Sequence, residues 1–190
     1  SKERRYKMFF PMCINLENKK ILVIGAGKVA ARKIKKIADY GTDITVLSKE
    51  IKKSEILEIK NIKFEKKTLE NNQNEIEKIV KNYFLVIVAT NDENLNEKIA
   101  VICDKNNILV NNVSSKTTMN AMFTGIVKND EFQISISTNG KNCKRSRAMK
   151  EEIKKILCVK NVKRLNEKKA ILDFEEIKNI DEAQKLNGFK

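Results

Sequence analysis

The chain has 190 residues, with 39 Lys and Arg against 25 Asp and Glu and a net charge of +14; that length suffices for one α/β core and a small second unit. No apolar stretch approaches the roughly 18 residues of a membrane span. Ser1-Lys2-Glu3-Arg4-Arg5 is not followed by a signal-type apolar core, so a cytoplasmic protein without a membrane partner is expected. Four widely spaced cysteines without a C-x-x-C pair, and no histidine, argue against a zinc cage and remove the usual general base. No metal site is expected, and chemistry must come from a cofactor, carboxylates, lysines, hydroxyls or water.

Met8 to Leu16 is a short apolar lead-in holding Pro11, the chain's single proline, and a polar turn leads from it to a strand over Ile21 to Ile24. Gly25-Ala26-Gly27-Lys28-Val29-Ala30 then reads as G-x-G-x-x-A between a strand and a helix, the setting of a dinucleotide-binding turn. Gly25 allows the tight turn, Gly27 lets backbone approach a pyrophosphate, and Ala30 lets helix and strand pack closely. The helix N-terminus, with Lys28 and Val29, offers N–H groups to the phosphates. Ala30, Ile34 and Ile37 follow helical spacing, Gly41 ends the helix, and Asp43 to Leu47 is the second strand. In this fold an acidic residue about 20 positions beyond the glycines holds the ribose hydroxyls of NAD. Here Ser48, Lys49 and Glu50 follow the strand. Glu50 suits the hydroxyls, whereas Ser48 and Lys49 suit a 2′-phosphate, so NAD is expected and NADP stays open.

Ile62 to Glu65 alternates as an edge strand, and Glu75 to Lys81 forms a short helix. Phe84 to Thr90 is a continuous apolar run, expected of a strand covered on both faces. Asn91-Asp92 caps a helix through Asn106 with Leu95, Ile99 and Ile102 on one side. Cofactors lie at the carboxyl ends of strands in open parallel sheets, so Thr90 and Asn91 are candidates for the nicotinamide side. Ile108 to Val113 closes the sheet. Beyond a polar connection, Met122 to Lys128 and Glu131 to Thr138 read as a hairpin turning at Asn129-Asp130. Gly140 breaks the second strand, and a basic helix spans Arg145 to Leu157 with Met149, Ile153, Ile156 and Leu157 as its apolar stripe. Two further helical patterns, Val162 to Leu172 and Asp181 to Gly188, make a tail without visible chemistry.

Between Lys141 and Lys169 twelve basic residues face three acidic ones, placing +9 of the +14 there. Such a block attracts a polyanion, although a solvated helix face in a lysine-rich chain has the same composition. The expected fold is α/β. Residues 1–113 form a Rossmann-like parallel sheet, residues 114–157 a small antiparallel hairpin and helix unit for dimerisation and substrate covering, and residues 158–190 a helical tail.

Phe10-Pro11, the run from Gly25 to Lys33, Ala89-Thr90-Asn91-Asp92, Asn111-Asn112-Val113 and the Ser137-Thr138-Asn139-Gly140 turn before a basic helix carry a resemblance. From about Met8 to about Leu157 the chain resembles the precorrin-2 dehydrogenase family, the dehydrogenase–ferrochelatase portion of siroheme synthases. The resemblance implies NAD-dependent oxidation of precorrin-2 to sirohydrochlorin, a homodimer, and in some members insertion of iron. It gives the basic block a partner, a polycarboxylate tetrapyrrole, with Asn112, Ser114, Ser115, Lys141, Lys144, Arg145 and Arg147 as substrate-binding candidates. Many relatives carry an aspartate, credited with proton handling and metal delivery, where this chain has Ser114, which is therefore the catalytic candidate. A neutral hydroxyl is a poor base and a poor ligand: dehydrogenation helped by water or a substrate carboxylate is retained, and chelatase activity is not expected. Lys141-Asn142-Cys143 also departs from the family's Ser/Thr-Ser-Pro turn, while Arg147 keeps a matching arginine. The reading from another class is a nucleotide-sensing Rossmann regulator with a nucleic-acid-binding helix. No helix-turn-helix or aromatic-rich unit accompanies the basic helix, so nucleic acid is not the expected partner.

Overall fold

A computed structural model describes residues 8–51, 56–114, 118–129 and 132–158. The tail patterns beyond Val159, Ser115 and Asp130 of the expected hairpin turn lie outside the described residues, and of Leu157 only the backbone is described.

Four consecutive apolar residues of β1 (Lys20–Ile24) are buried because the strand is covered on both sides. Ile21 and Val23 pack with Ala30, Ala31, Ile34 and Ile37 of α1 (Lys28–Ile37). Leu22 and Ile24 face the opposite layer, with Ile76 and Val80 of α2 (Gln73–Val80) and Ile99 and Cys103 of α3 (Glu93–Lys105). The strands β2 (Asp43–Ser48), β3 (Ile62–Lys66), β4 (Leu85–Val88) and β5 (Leu109–Asn112) complete a parallel sheet in the order β3-β2-β1-β4-β5. The order reverses between β1 and β4, which creates the crevice at their carboxyl ends where this fold takes ligands. The helices begin where the sequence supplies caps: Asn72 Oδ1 accepts from Asn74 and Glu75 N–H, and Asp92 Oδ1 accepts from Leu95 N–H at 3.0 Å. α1 tightens into a 3-10 turn over Ala38–Tyr40 and stops at Gly41, whose φ of 67° is left-handed.

The free side of β5 is dressed by the Asn120–Ala121 segment, whose backbone N–H groups donate to Val110 C=O at 3.2 and 3.1 Å. Asn120 Oδ1 accepts from Val110 N–H at 2.7 Å and its amide donates to Ile108 C=O at 3.0 Å, as a neighbouring strand would. Ala121 and Phe123 pack into the α1 layer, the Lys33 ammonium lies 4.5 Å from the Phe123 ring centroid, and Lys36 Nζ donates to Thr124 C=O. These contacts hold Met122 to Thr124 as irregular chain, so β6 (Gly125–Lys128) begins three residues later than the alternating pattern suggests.

β6 pairs antiparallel with β7 (Gln133–Ile136), Gly125 opposite Ile136 and Lys128 opposite Gln133. α4 (Cys143–Cys158) starts two residues before the expected Arg145 because Asn142 caps it, its Oδ1 accepting from Arg145 N–H at 2.9 Å. The Thr138 hydroxyl in turn accepts from Asn142 N–H at 3.0 Å. The described residues divide into two compact units: the parallel sheet and its helices up to Thr124 with Asn139–Lys141, and Gly125–Thr138 with Asn142–Cys158. No helix among the described residues is long and apolar enough to cross a membrane.

Candidate active site

The glycine turn lies where β1 meets the end of β4. Gly25 has φ 103°, and a Cβ placed on it would sit 2.3 Å from Ala89 C=O. Gly25 N–H donates to Leu47 C=O and Ala89 N–H donates to Ile24 C=O, both at 2.8 Å, so the turn is fixed to both neighbouring strands. Gly27 differs. Its φ of −85° suits any residue, and a Cβ there would meet no protein atom within 4 Å. What a side chain would fill at Gly27 is open space in front of α1. The first N–H groups of a helix have no partner within it, and no side chain caps those of α1. Lys28 and Val29 are exposed on this rim, whereas Ala30 is buried against the sheet. A pyrophosphate fits this cradle in charge and in space.

At the end of β2, Ser48 is half-buried and its hydroxyl donates to Glu50 C=O at 2.9 Å, with Lys49 and Glu50 exposed beside it. At the end of β4, Thr90 is held by a residue the sequence reading passed over. Asn96, fully buried in α3, accepts from Thr90 N–H at 3.2 Å through Oδ1 and donates to Thr90 C=O at 3.0 Å through Nδ2. Asn96 Nδ2 also donates to the Ser114 hydroxyl oxygen. Thr90 Oγ1 lies 2.5 Å from Asn96 Oδ1, so its hydroxyl is engaged within the protein, as its N–H is, and Thr90 has the second lone pair of its C=O to offer a ligand. Asn91 is exposed beside it.

Asn112 and Ser114 come together at the end of β5. Asn112 is 2 % exposed; its Oδ1 accepts from Ser114 N–H at 3.1 Å and its amide donates to Glu97 Oε2 at 3.2 Å. Thr118 donates to the other oxygen of Glu97. The Asn112 side chain thus faces inward and orders the loop, while Ser114 is exposed. One signal for Asn96 stands in the sequence: a polar residue on the face that also carries Ile99, Ala100 and Cys103. Asn111 Oδ1, on the other face of β5, is buried without a partner. Burial pushes the Cys103 thiol from its ordinary 9.0 up to about 12, which makes it an inert core residue. Among the described residues no group of three His, Cys, Asp or Glu side chains could hold a metal ion.

Lys144, Arg145 and Arg147 belong to the second compact unit, exposed on the first turns of α4, and Lys141 is exposed just before it.

Comparison with known proteins gives this geometry a family. A precorrin-2 dehydrogenase of Bacillus subtilis is 32% identical over 149 residues, which cover 77% of this chain and 88% of that protein. The chain belongs to the precorrin-2 dehydrogenase family. A family model described as NAD(P)-binding matches residues 12–125. Within the family, the solved structure of SirC, precorrin-2 dehydrogenase, superposes with a TM-score of 0.66 at 26% identity, covering 78% of this chain and 71% of that one. A siroheme synthase of Psychromonas ingrahamii is 33% identical over 149 residues; the match covers 78% of this chain but 31% of that longer protein. The chain is an oxidoreductase of this family that uses a nicotinamide cofactor.

Proposed function

We propose that this protein oxidises precorrin-2 to sirohydrochlorin, with NAD as the acceptor. The observation that carries the reading is the glycine turn packed on Ala89 at the reversal point of a parallel sheet, in a chain that spans most of a precorrin-2 dehydrogenase. The bound nicotinamide supplies the hydride acceptor. The protein's part is to hold, orient and neutralise. Gly25, Gly27, Lys28, Val29 and Ala30 cradle the pyrophosphate. Thr90 backbone and Asn91 line the nicotinamide side, Ser114 and Ser115 bind the substrate, and Asn112 orders the loop that carries Ser114. Lys141, Lys144, Arg145 and Arg147 attract the substrate's carboxylates. No histidine exists to take the proton that leaves with the hydride, so water or a substrate carboxylate receives it.

NAD is favoured over NADP at Ser48. Its proton is given to Glu50 C=O, which leaves lone pairs to accept from a ribose hydroxyl and no proton for a 2′-phosphate. In this reading residues 1–113 bind the cofactor, residues 114–157 cover the substrate and form a homodimer, and residues 158–190 are a tail. Exposed Phe132, Met149 and Ile156 in the second unit support a dimer contact. The protein is read as cytoplasmic. Chelatase activity is not part of the reading, because Ser114 carries no charge to deliver a metal.

Incubation with precorrin-2 and either NAD or NADP, followed through the sirohydrochlorin chromophore, tests it. Faster oxidation with NAD is expected, and no oxidation with either cofactor would refute the assignment. Insertion of iron or cobalt into sirohydrochlorin should not exceed the uncatalysed rate in the wild type, and Ser114→Asp should raise it.

A further inference from the structure

Asn96 is a buried side chain that ties the end of β4 to the end of β5, and its partners fix which end of its amide is the oxygen. Which end of a side-chain amide is oxygen depends on its partners. Thr90 N–H can only donate and meets Oδ1; Thr90 C=O can only accept and meets Nδ2. The two backbone groups fix the amide independently, and the amide then meets the Ser114 hydroxyl with Nδ2. Ser114 must therefore accept from Asn96. Because its oxygen is used as an acceptor there, its single proton points elsewhere. A second buried asparagine, Asn112, holds Ser114 N–H, so the residue is fixed at both ends while remaining exposed.

We propose that Asn96 is a positioning residue that sets Ser114 as a hydrogen-bond donor, directed at a carboxylate oxygen of the substrate. The inference rests on the dehydrogenase reading given above. It assigns Ser114 a polarity opposite to that of a carboxylate at this position: it gives a proton-bearing contact to an anionic group and does not remove a proton from the ring. Asn96 acts through Ser114 and through Thr90, touching neither substrate nor cofactor itself.

A mutant cycle between the two positions tests this, read on kcat/KM for precorrin-2, on absorbance titration with sirohydrochlorin in the absence of turnover, and on NADH affinity by fluorescence. Ser114→Ala should lower kcat/KM and sirohydrochlorin affinity about tenfold, the worth of one hydrogen bond to a charged acceptor, and leave NADH affinity unchanged. Ser114→Thr, which keeps the hydroxyl, should restore most of the loss. In an Asn96→Ala background, where nothing directs the proton, Ser114→Ala should cost much less. Equal cost in both backgrounds, wild-type kcat/KM in Ser114→Ala, or a loss confined to NADH affinity would each overturn the proposal. If Asn96→Ala does not fold, the Ala and Thr variants of Ser114 decide it: no loss in the first or no recovery in the second overturns it. An inactive wild type would instead refute the dehydrogenase reading, which separates the two failures.

Discussion

The two glycines of the turn should fail in different ways. At Gly25 any side chain meets two obstacles: a φ of 103°, and a Cβ 2.3 Å from Ala89 C=O. A left-handed or otherwise sparse backbone conformation costs an L residue roughly 1–3 kcal/mol. The contact with Ala89 is backbone on backbone, so relieving it means parting β1 from the end of β4. For Gly25→Ala a loss of about 3 kcal/mol follows, or a fall in Tm of about 6–12 °C for a chain of this size, together with loss of dinucleotide binding. At Gly27 the protein itself offers no obstacle: φ is −85° and no atom lies within 4 Å of the added carbon. Alanine is a poorer helix cap than glycine but reduces unfolded-chain entropy, and the two effects offset to within about 0.5 kcal/mol. The added methyl occupies the space in front of α1, so a pyrophosphate loses at least one charge-assisted contact of about 1.5–3 kcal/mol. NADH affinity should fall about tenfold to a hundredfold. Thermal melting and NADH fluorescence titration on the same samples distinguish the two sites. A Gly25→Ala protein melting like wild type, or a Gly27→Ala protein binding NADH as tightly as wild type, would refute the assignment of those roles.

Alkaline stability follows from Cys103. The unfolded thiol ionises near 9.0 and the buried one only at about 12, so stability is full below about pH 9. Above that it declines by about 1.4 kcal/mol per pH unit. Urea melts across that range should show the slope, and Cys103→Ala should flatten it; an unchanged slope contradicts the burial effect. Asn120→Ala strands Val110 N–H and Ile108 C=O at the side of β5 and should cost about 1–3 kcal/mol in urea unfolding. Indifference there would mean that water replaces the side chain. Charge reversal at Lys144 and Arg147, exposed on α4, should raise KM for precorrin-2 about fivefold per residue at low salt and leave NADH affinity alone. Equal effects on both ligands would count against a substrate role.

The parallel sheet was legible because strands covered on both faces leave runs such as Leu85–Val88 without a polar break, and because Gly25 and Gly27 stand between a strand and a helix. What the sequence did not disclose are contacts made by side chains on distant backbone. Asn120 replaces a strand, Asn96 joins Thr90 to Ser114, and Glu97 is bridged between Asn112 and Thr118. None of these has a period, so pattern reading cannot find them; a buried asparagine among Ile99, Ala100 and Cys103 is the one trace. The late start of β6 has the same origin, since Phe123 and Thr124 answer to Lys33 and Lys36 on α1 and not to the hairpin.

The central claim is that a nicotinamide held at this turn takes a hydride from precorrin-2. Anaerobic incubation of the protein with precorrin-2 and NAD, recording NADH and sirohydrochlorin in the same sample, tests it most directly. The two should appear together, one for one, and Gly27→Ala at limiting NAD should slow both equally. Sirohydrochlorin forming without NADH, or neither forming, would contradict it.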